Sequence, residues 1–173
     1  MALNVDFENP NYLGNQSFQL SILKCPSLSP FVQAVSLPGM TFGEALLGTP
    51  FADRKEPGDK IIFSVLSVSF LVDEEMKSWM EVYDWIRGLG FPESFGQYRS
   101  FAQGRQLTGD DVYSDGSLLL YNNQGAPIYE AVFKDLFPIA LGDIPFSSLE
   151  TGDEPTATTA DFQYTGYEIK KID

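Results

Sequence analysis

Ile61-Ile-Phe-Ser-Val-Leu-Ser-Val-Ser-Phe-Leu-Val72, followed at once by Asp73-Glu-Glu-Met-Lys-Ser-Trp-Met-Glu-Val-Tyr-Asp-Trp-Ile-Arg87, is where the hydrophobic period changes. In the first half Ile62, Leu66, Val68, Phe70 and Val72 share one face of a two-residue repeat while Ser67 and Ser69 mark the other, as in a strand with one buried side. Read as one strand, the run reaches roughly 40 Å, against a usual length of about five or six residues. Such excess predicts a sheet that continues beyond one domain's needs. In the second half Asp73 is placed to cap a helix, with Glu74 and Glu75 suited to the positive end of its dipole. Gly88-Leu-Gly90 before Pro92 supplies the stop, predicting a helix over about 74–87. Met76, Trp79, Met80, Tyr83 and Ile86 follow the helical repeat, widened by Val82 and Trp85. That face is expected to pack on the sheet, at a gain on the order of 1.5–3 kcal/mol for each large side chain.

Working back from this stretch, Ser17 to Lys24 alternates Phe18, Leu20 and Ile22 against Ser17, Gln19 and Ser21, the pattern of a half-buried strand. Cys25-Pro26-Ser-Leu-Ser-Pro30 breaks the pattern, Phe31 to Leu37 reads as a second strand, and Pro38-Gly39 ends it. From Met40 to Lys60, Gly43, Gly48, Pro50, Pro57 and Gly58 mix with charges, and no apolar period fills a core. Loops of this length inside compact domains are usually functional or ordered by a partner. The segment 40–60 is therefore expected to be an intersubunit arm, with Phe51, Asp53, Arg54, Lys55, Glu56 and Asp59 as its contact residues.

Beyond the helix, Phe91 to Ser117 is irregular and reads as a loop. Leu118 to Tyr121, the turn Asn122-Asn-Gln-Gly125, and Ile128 to Leu136 form a predicted hairpin. Phe137-Pro138 and Asp143-Ile-Pro145 mark another loop, and Ala160 to Ile169 closes the chain as a strand with a bulge at Gly166. The prediction is a mainly β chain, a β-sandwich or barrel with one packed α-helix and long loops, in a single domain over residues 1–173.

Composition removes several chemistries. There is no histidine and one cysteine, Cys25, so the usual zinc and iron ligand sets, an internal disulfide and every nucleophile-histidine pair are missing. Net charge is -13, from 24 acids against 11 bases, which repels a phosphate backbone. The start, Met1 to Pro10, has neither a basic leader nor an apolar core, and Ile61 to Val72 is too short to span a bilayer, so a soluble protein made in the cytosol is expected. Asp73-Glu-Glu75 and Asp110-Asp111 are adjacent carboxylates that capping and solvation explain. Asp110 to Gly116 lacks the spacing and terminal glutamate of a calcium loop, and no phosphate-binding glycine loop occurs. Neither cofactor nor metal is expected.

The order of elements resembles the tail tube proteins of contractile phages over most of the chain, through Leu37-Pro38, the polar arm, Val72-Asp73-Glu74 and Trp85. Ala131-Val-Phe-Lys-Asp-Leu-Phe-Pro138, the Gly-Asp-Ile144 turn and Tyr167-Glu-Ile169 are similar to that family's last hairpin. The resemblance implies a virion structural protein whose sheets pair in hexameric rings of the inner tube, with the arm on neighbouring subunits. DNA would pass through the lumen without specific binding. It also implies sheath, baseplate or tail-terminator partners, no membrane, and assembly in the host cytoplasm. Tube initiators, tube terminators and the secreted tube proteins of bacterial contractile systems share the fold. A carbohydrate-binding or adhesin-like β-sandwich module, presenting Trp79, Trp85, Tyr98 and Tyr113, is the competing reading. An acid/base enzyme using Asp110 and Asp111 has no visible partner group.

Overall fold

A computed structural model describes residues 17–48, 51–90, 112–147 and 155–172. Along the chain come β1 (Phe18–Ile22), a 3-10 turn (Pro26–Phe31), β2 (Val32–Val35), β3 (Met40–Gly48), β4 (Asp53–Phe63) and β5 (Leu66–Leu71). The helix α1 (Lys77–Gly90) follows, then β6 (Ser114–Tyr121), β7 (Pro127–Leu141), β8 (Ala157–Gln163) and β9 (Gly166–Lys171). The mainly β architecture, with one α-helix among the described residues, agrees with the sequence reading. The single long strand over Ile61 to Val72 does not form. Ile61 and Ile62 stay exposed in β4, paired to β3, whereas Leu66, Val68 and Phe70 enter the core as β5. Ser64-Val65 separates them, because Ser64 N–H closes the β3–β4 ribbon on Gly39 O at 2.9 Å and the chain then changes sheet.

The main sheet runs β1-β6-β7-β8-β5-β2, all antiparallel, with β9 also on β7. β8 and β9 follow one edge of β7 in turn, and Thr165 N–H bridges the gap to Lys134 O at 3.0 Å. Both strands of this ribbon change phase at the same level. On β7, Phe133 and Leu136 both point inward across Asp135, which has a φ of +55°. Aspartate is among the few residues that adopt this left-handed geometry readily, and the register with β6 slips there. On the facing chain Tyr164 and Tyr167 both turn toward the core, so the predicted shift occurs at Tyr164-Thr165 rather than as a bulge at Gly166. β7 also continues through Phe137-Pro138, where a loop was expected. The proline is accommodated because the β8 register shifts between Pro138 and Ala140.

The helix begins three residues later than expected. Asp73 to Met76 form a turn, with Met76 N–H donating to Asp73 O at 2.9 Å and Met76 at φ +55°, so Glu74 and Glu75 precede the helix. Asp73 still caps it, accepting from Lys77 N–H at 3.1 Å, Ser78 N–H at 3.0 Å and Ser78 Oγ–H at 2.7 Å. The side-chain bond from Ser78, then the backbone one, holds the Asp73 carboxyl below its ordinary value.

The buried line of α1 is Ser78, Val82, Trp85 and Gly88. Ser78 and Gly88 are small residues on this line, and the Trp85 ring lies 6.3 Å from that of Phe162 on β8. Of the expected packing residues, Trp79 and Ile86 flank the core, Met76 and Tyr83 are half-buried and Met80 is exposed. The helix is tied down by Trp85 Nε1–H to Val112 O at 3.1 Å and by Ser27, whose N–H and Oγ–H donate to the Glu81 carboxylate at 3.1 and 2.7 Å. Cys25 is buried beside this contact, and burial, followed by the Glu81 charge, pushes its thiol up to about 12. It is a core residue held in its unreactive form.

Trp85→Ala is expected to cost about 3–5 kcal/mol and to lower the unfolding midpoint of the whole domain. Asp73→Ala should cost about 1 kcal/mol at neutral pH. The folded carboxyl lies below its unfolded value near 3.8, so the cap contributes above that value and is lost as pH falls through the lowered one. Chemical denaturation of wild type and variant should therefore converge in acid; a gap that persists there would contradict the cap.

Candidate assembly interface

The segment expected to be a polar loop is a two-stranded ribbon. β3 and β4 pair Met40 with Phe63 and Phe42 with Ile61, slip at Gly43, and resume from Glu44 opposite Pro57 to Gly48 opposite Asp53. The slip depends on glycine, since a Cβ on Gly58 would lie 2.6 Å from the Gly43 carbonyl oxygen. Directly opposed residues share a face. Phe42 and Ile61 stand on one and Ile62 on the other, while Leu46 and Leu47 divide between the two beyond the slip. Apolar residues on both faces of an exposed ribbon leave no binary pattern, which is why the strands were not legible.

Of the predicted contact residues, Phe51 lies between the two strands with its side chain 100% exposed. Asp53, Arg54, Lys55, Glu56 and Asp59 all lie on β4. Lys55 pairs with Glu44 across the ribbon at 3.0 Å, and Arg54 lies 3.7 Å from Glu56. Both pairs are solvent-exposed and hold little of the ribbon's stability. The residues that the sequence reading passed over are the apolar ones: Phe42, Leu46, Leu47, Ile61 and Ile62 are all exposed. Exposed apolar residues are thus carried on both faces of the ribbon.

The root of the ribbon is fixed from the core. Tyr164 Oη–H donates to Ser64 O at 2.8 Å, just after β4, and Tyr167 Oη–H donates to Pro38 O at 2.9 Å, just before β3. Their rings pack with Phe63 and Phe133 at centroid distances of 5.1 to 6.0 Å. Burial, with a smaller effect from Tyr167, raises the Tyr164 phenol from 10.0 to about 12. It remains a donor at physiological pH, and its contribution is lost only as pH rises above the unfolded value toward the folded one.

The expected helix residues meet at a second feature. Met76, Trp79, Tyr83 and Ile86 line one wall of a groove of about 660 Å³, with Ile139 to Ile144 and Phe146 opposite. Of the aromatic residues of the binding-module reading, Trp85 is buried, Tyr113 packs edge-on against Phe137, and Trp79 stacks on Tyr83 at 5.1 Å. Tyr98, Asp110 and Asp111 lie outside the described residues. Among the described residues no three carboxylate or thiol groups gather as a metal centre, and no helix is long and apolar enough to cross a membrane.

The double variant Tyr164→Phe/Tyr167→Phe should keep the fold while losing about 1 kcal/mol per bond, because each change leaves a carbonyl without its donor. Amide hydrogen exchange should accelerate across β3 and β4 more than across β5. Unchanged protection in the ribbon would show that the tyrosines do not hold it.

No protein-family model matches the chain. Its sequence is 27% identical over 169 residues to the tail tube terminator protein of Enterobacteria phage T4, covering 93% of this chain and 90% of that protein. The tube terminating cap of the anti-feeding prophage aligns with a TM-score of 0.60 at 16% identity, over 99% of this chain and 100% of that one. A chain of the sheath-tube complex of the PVC extracellular contractile injection system gives 0.60 at 13% identity, over 97% and 95%. The sheath/tube terminator structure of PVC gives 0.55 at 16%, over 96% and 99%. Over nearly its whole length the chain is thus similar in sequence to a contractile-tail tube terminator and in fold to chains of contractile-system tube and tube-terminator structures.

Proposed function

We propose that the chain is a structural, non-catalytic component of a contractile tail, forming a hexameric ring at the end of the inner tube. The observation that carries this reading is the relationship to the T4 tail tube terminator along nearly the whole of both chains. The arm supports it physically. Its strands expose apolar side chains that a monomer has no reason to keep in water, and its anchored root gives a neighbour a fixed surface to bind. The lack of histidine and the buried, inert Cys25 fit a protein that works through surfaces rather than through chemistry.

A net charge of -13 suits a ring through which DNA passes during ejection, since an acidic wall makes none of the phosphate contacts that would retain it. The partners in this reading are further copies of the chain, the last ring of the tube, and sheath or baseplate proteins. The particle is assembled in the host cytoplasm. The likeness to a chain of a sheath-tube complex favours a second reading, a repeating tube subunit, which differs in whether rings stack on themselves.

Negative-stain electron microscopy of the purified chain across a concentration series, alone and with isolated tubes, separates the two. Single rings with a central channel that seat on tube ends and do not stack are the expected result. Long tubes from the chain alone would assign it as the repeating subunit. A persistent monomer that leaves tube ends bare would overturn both.

A further inference from the structure

We infer that the slip between Gly43 and Gly58 is a hinge, which divides the β3–β4 arm into a base fixed to the core and a tip that turns as one body. This division belongs to the free chain and stands apart from the ring reading. The pairs Met40 with Phe63, Thr41 with Ile62 and Phe42 with Ile61 form the base. The pairs from Glu44 with Pro57 to Gly48 with Asp53 form the tip. Between the two the ladder is interrupted, since Gly43 alone on β3 faces Gly58, Asp59 and Lys60 on β4. An irregularity of this kind removes ladder hydrogen bonds from one level of the ribbon and bends the strand that carries the extra residues.

The two sides of the slip are held very differently. On the base, Phe63 packs with Tyr164 and Tyr167 at 5.9 and 5.6 Å, Ser64 N–H donates to Gly39 O, and the tyrosine hydroxyls hold Ser64 O and Pro38 O. Beyond the slip nothing comparable fastens the ribbon to the domain, and β3 and β4 have one another as their main packing partner. Glu44 to Gly48, Asp53 to Lys55 and Pro57 are all exposed, and Glu56 is half-buried. The ion pairs of Lys55 with Glu44 and of Arg54 with Glu56 both lie inside the tip, so they join its two strands or stiffen one of them without tying either to the base.

The residues at the slip suit a pivot. Gly43 and Gly58 are half-buried against each other, so close that a Cβ on Gly58 would lie 2.6 Å from the Gly43 carbonyl oxygen and 2.8 Å from its carbonyl carbon. Two glycines in contact offer no side chains to interlock, and Pro57 brings no N–H to the ladder where it resumes. A two-stranded ribbon is marginal in water by itself, and local opening at an unsupported level costs little free energy. The tip extends four steps of the ladder, roughly 14 Å at about 3.4 Å per residue, so a small turn at the slip becomes a large displacement at Phe51. A hinge here lets the tip take its direction from whatever surface covers it, while the base keeps the direction that the core imposes.

The test measures distances by double electron–electron resonance between spin labels on introduced cysteines in the full chain, kept dilute and mixed with excess unlabelled chain. Cys25 is buried and its thiol is pushed up to about 12, so it takes no label. One labelled chain carries Phe51→Cys in the tip and Ser21→Cys on β1, and the other carries Thr41→Cys in the base with the same Ser21→Cys; all three sites are exposed. The distance distribution from position 51 is expected to be about twice as broad as that from position 41, or broader. Deleting Gly58 and Asp59 together with Pro57→Thr leaves Gly43 opposite Lys60, one residue against one, and removing an even number of residues keeps the alternation of faces. In that variant the distribution from position 51 is expected to narrow to the width of the one from position 41. Equal breadth at both positions without the deletion would put the bending at the root, and equal narrowness would show a rigid arm; either result overturns the hinge and leaves the ring reading intact. A distribution from position 51 that stays broad after the deletion overturns it as well, because the tip then moves without the slip. The first comparison changes nothing at the slip, so it decides even where the deletion variant folds poorly.

Discussion

The bend shared by β7 and the β8–β9 strand is the constraint on which the molecule depends. Asp135 takes a left-handed backbone at +55° and the facing chain breaks at Tyr164-Thr165, so both strands turn at one level. The N-terminal half of β7 then lies beside β6 and β9, and its C-terminal half beside β8. Because the phase changes on both strands together, Phe133, Leu136, Tyr164 and Tyr167 can all face inward around the bend. An ordinary two-residue alternation would send every second one of them to solvent.

Two tyrosines at the bend carry its consequence outward. Their rings complete the core while their hydroxyls reach the carbonyls of Ser64 and Pro38, the two points at which the arm leaves the domain. A buried phenol needs a partner, and a backbone carbonyl at the end of a ribbon needs a donor. Each requirement meets the other. The arm itself is a ribbon with few internal supports, and an isolated two-stranded ribbon is at best marginal in water. Its geometry therefore comes from the root and, in an assembly, from whatever covers its apolar faces.

How much of this was legible in the sequence follows from how burial is distributed. β1, β5 and the helix were visible because each buries one face, as Leu20 and Ile22, Leu66 to Phe70, and Val82 and Trp85 show. Asp73 was recognisable as a cap from its position, but not the turn it makes first, since the left-handed Met76 has no sequence signal. The helix face was misjudged because large side chains were weighed above small ones. Ser78 and Gly88 face the core, and Met80 does not. The arm's existence was readable from its lack of a core pattern, whereas its strands were hidden because both faces are exposed. Tyr164 and Tyr167 read as ordinary strand aromatics, since their role lies in carbonyls 100 and 129 residues away in sequence.

In the ring reading proposed above, the fold has to satisfy two demands that pull apart. The domain must be stable before assembly, which here is met by a core of strands with α1 locked over it by Trp85, Ser27 and Glu81. The surfaces that join copies must meanwhile stay exposed until a partner arrives, at the risk of indiscriminate association. The chain separates the demands in space. On the β3–β4 ribbon the exposed Phe42, Leu46, Leu47, Phe51, Ile61 and Ile62 are interspersed with Glu44, Asp53, Arg54, Lys55 and Glu56. The net charge of -13 opposes nonspecific contact between copies. In that reading the difference between a ring that stacks and one that stops the stack resides in surfaces carried on a common core.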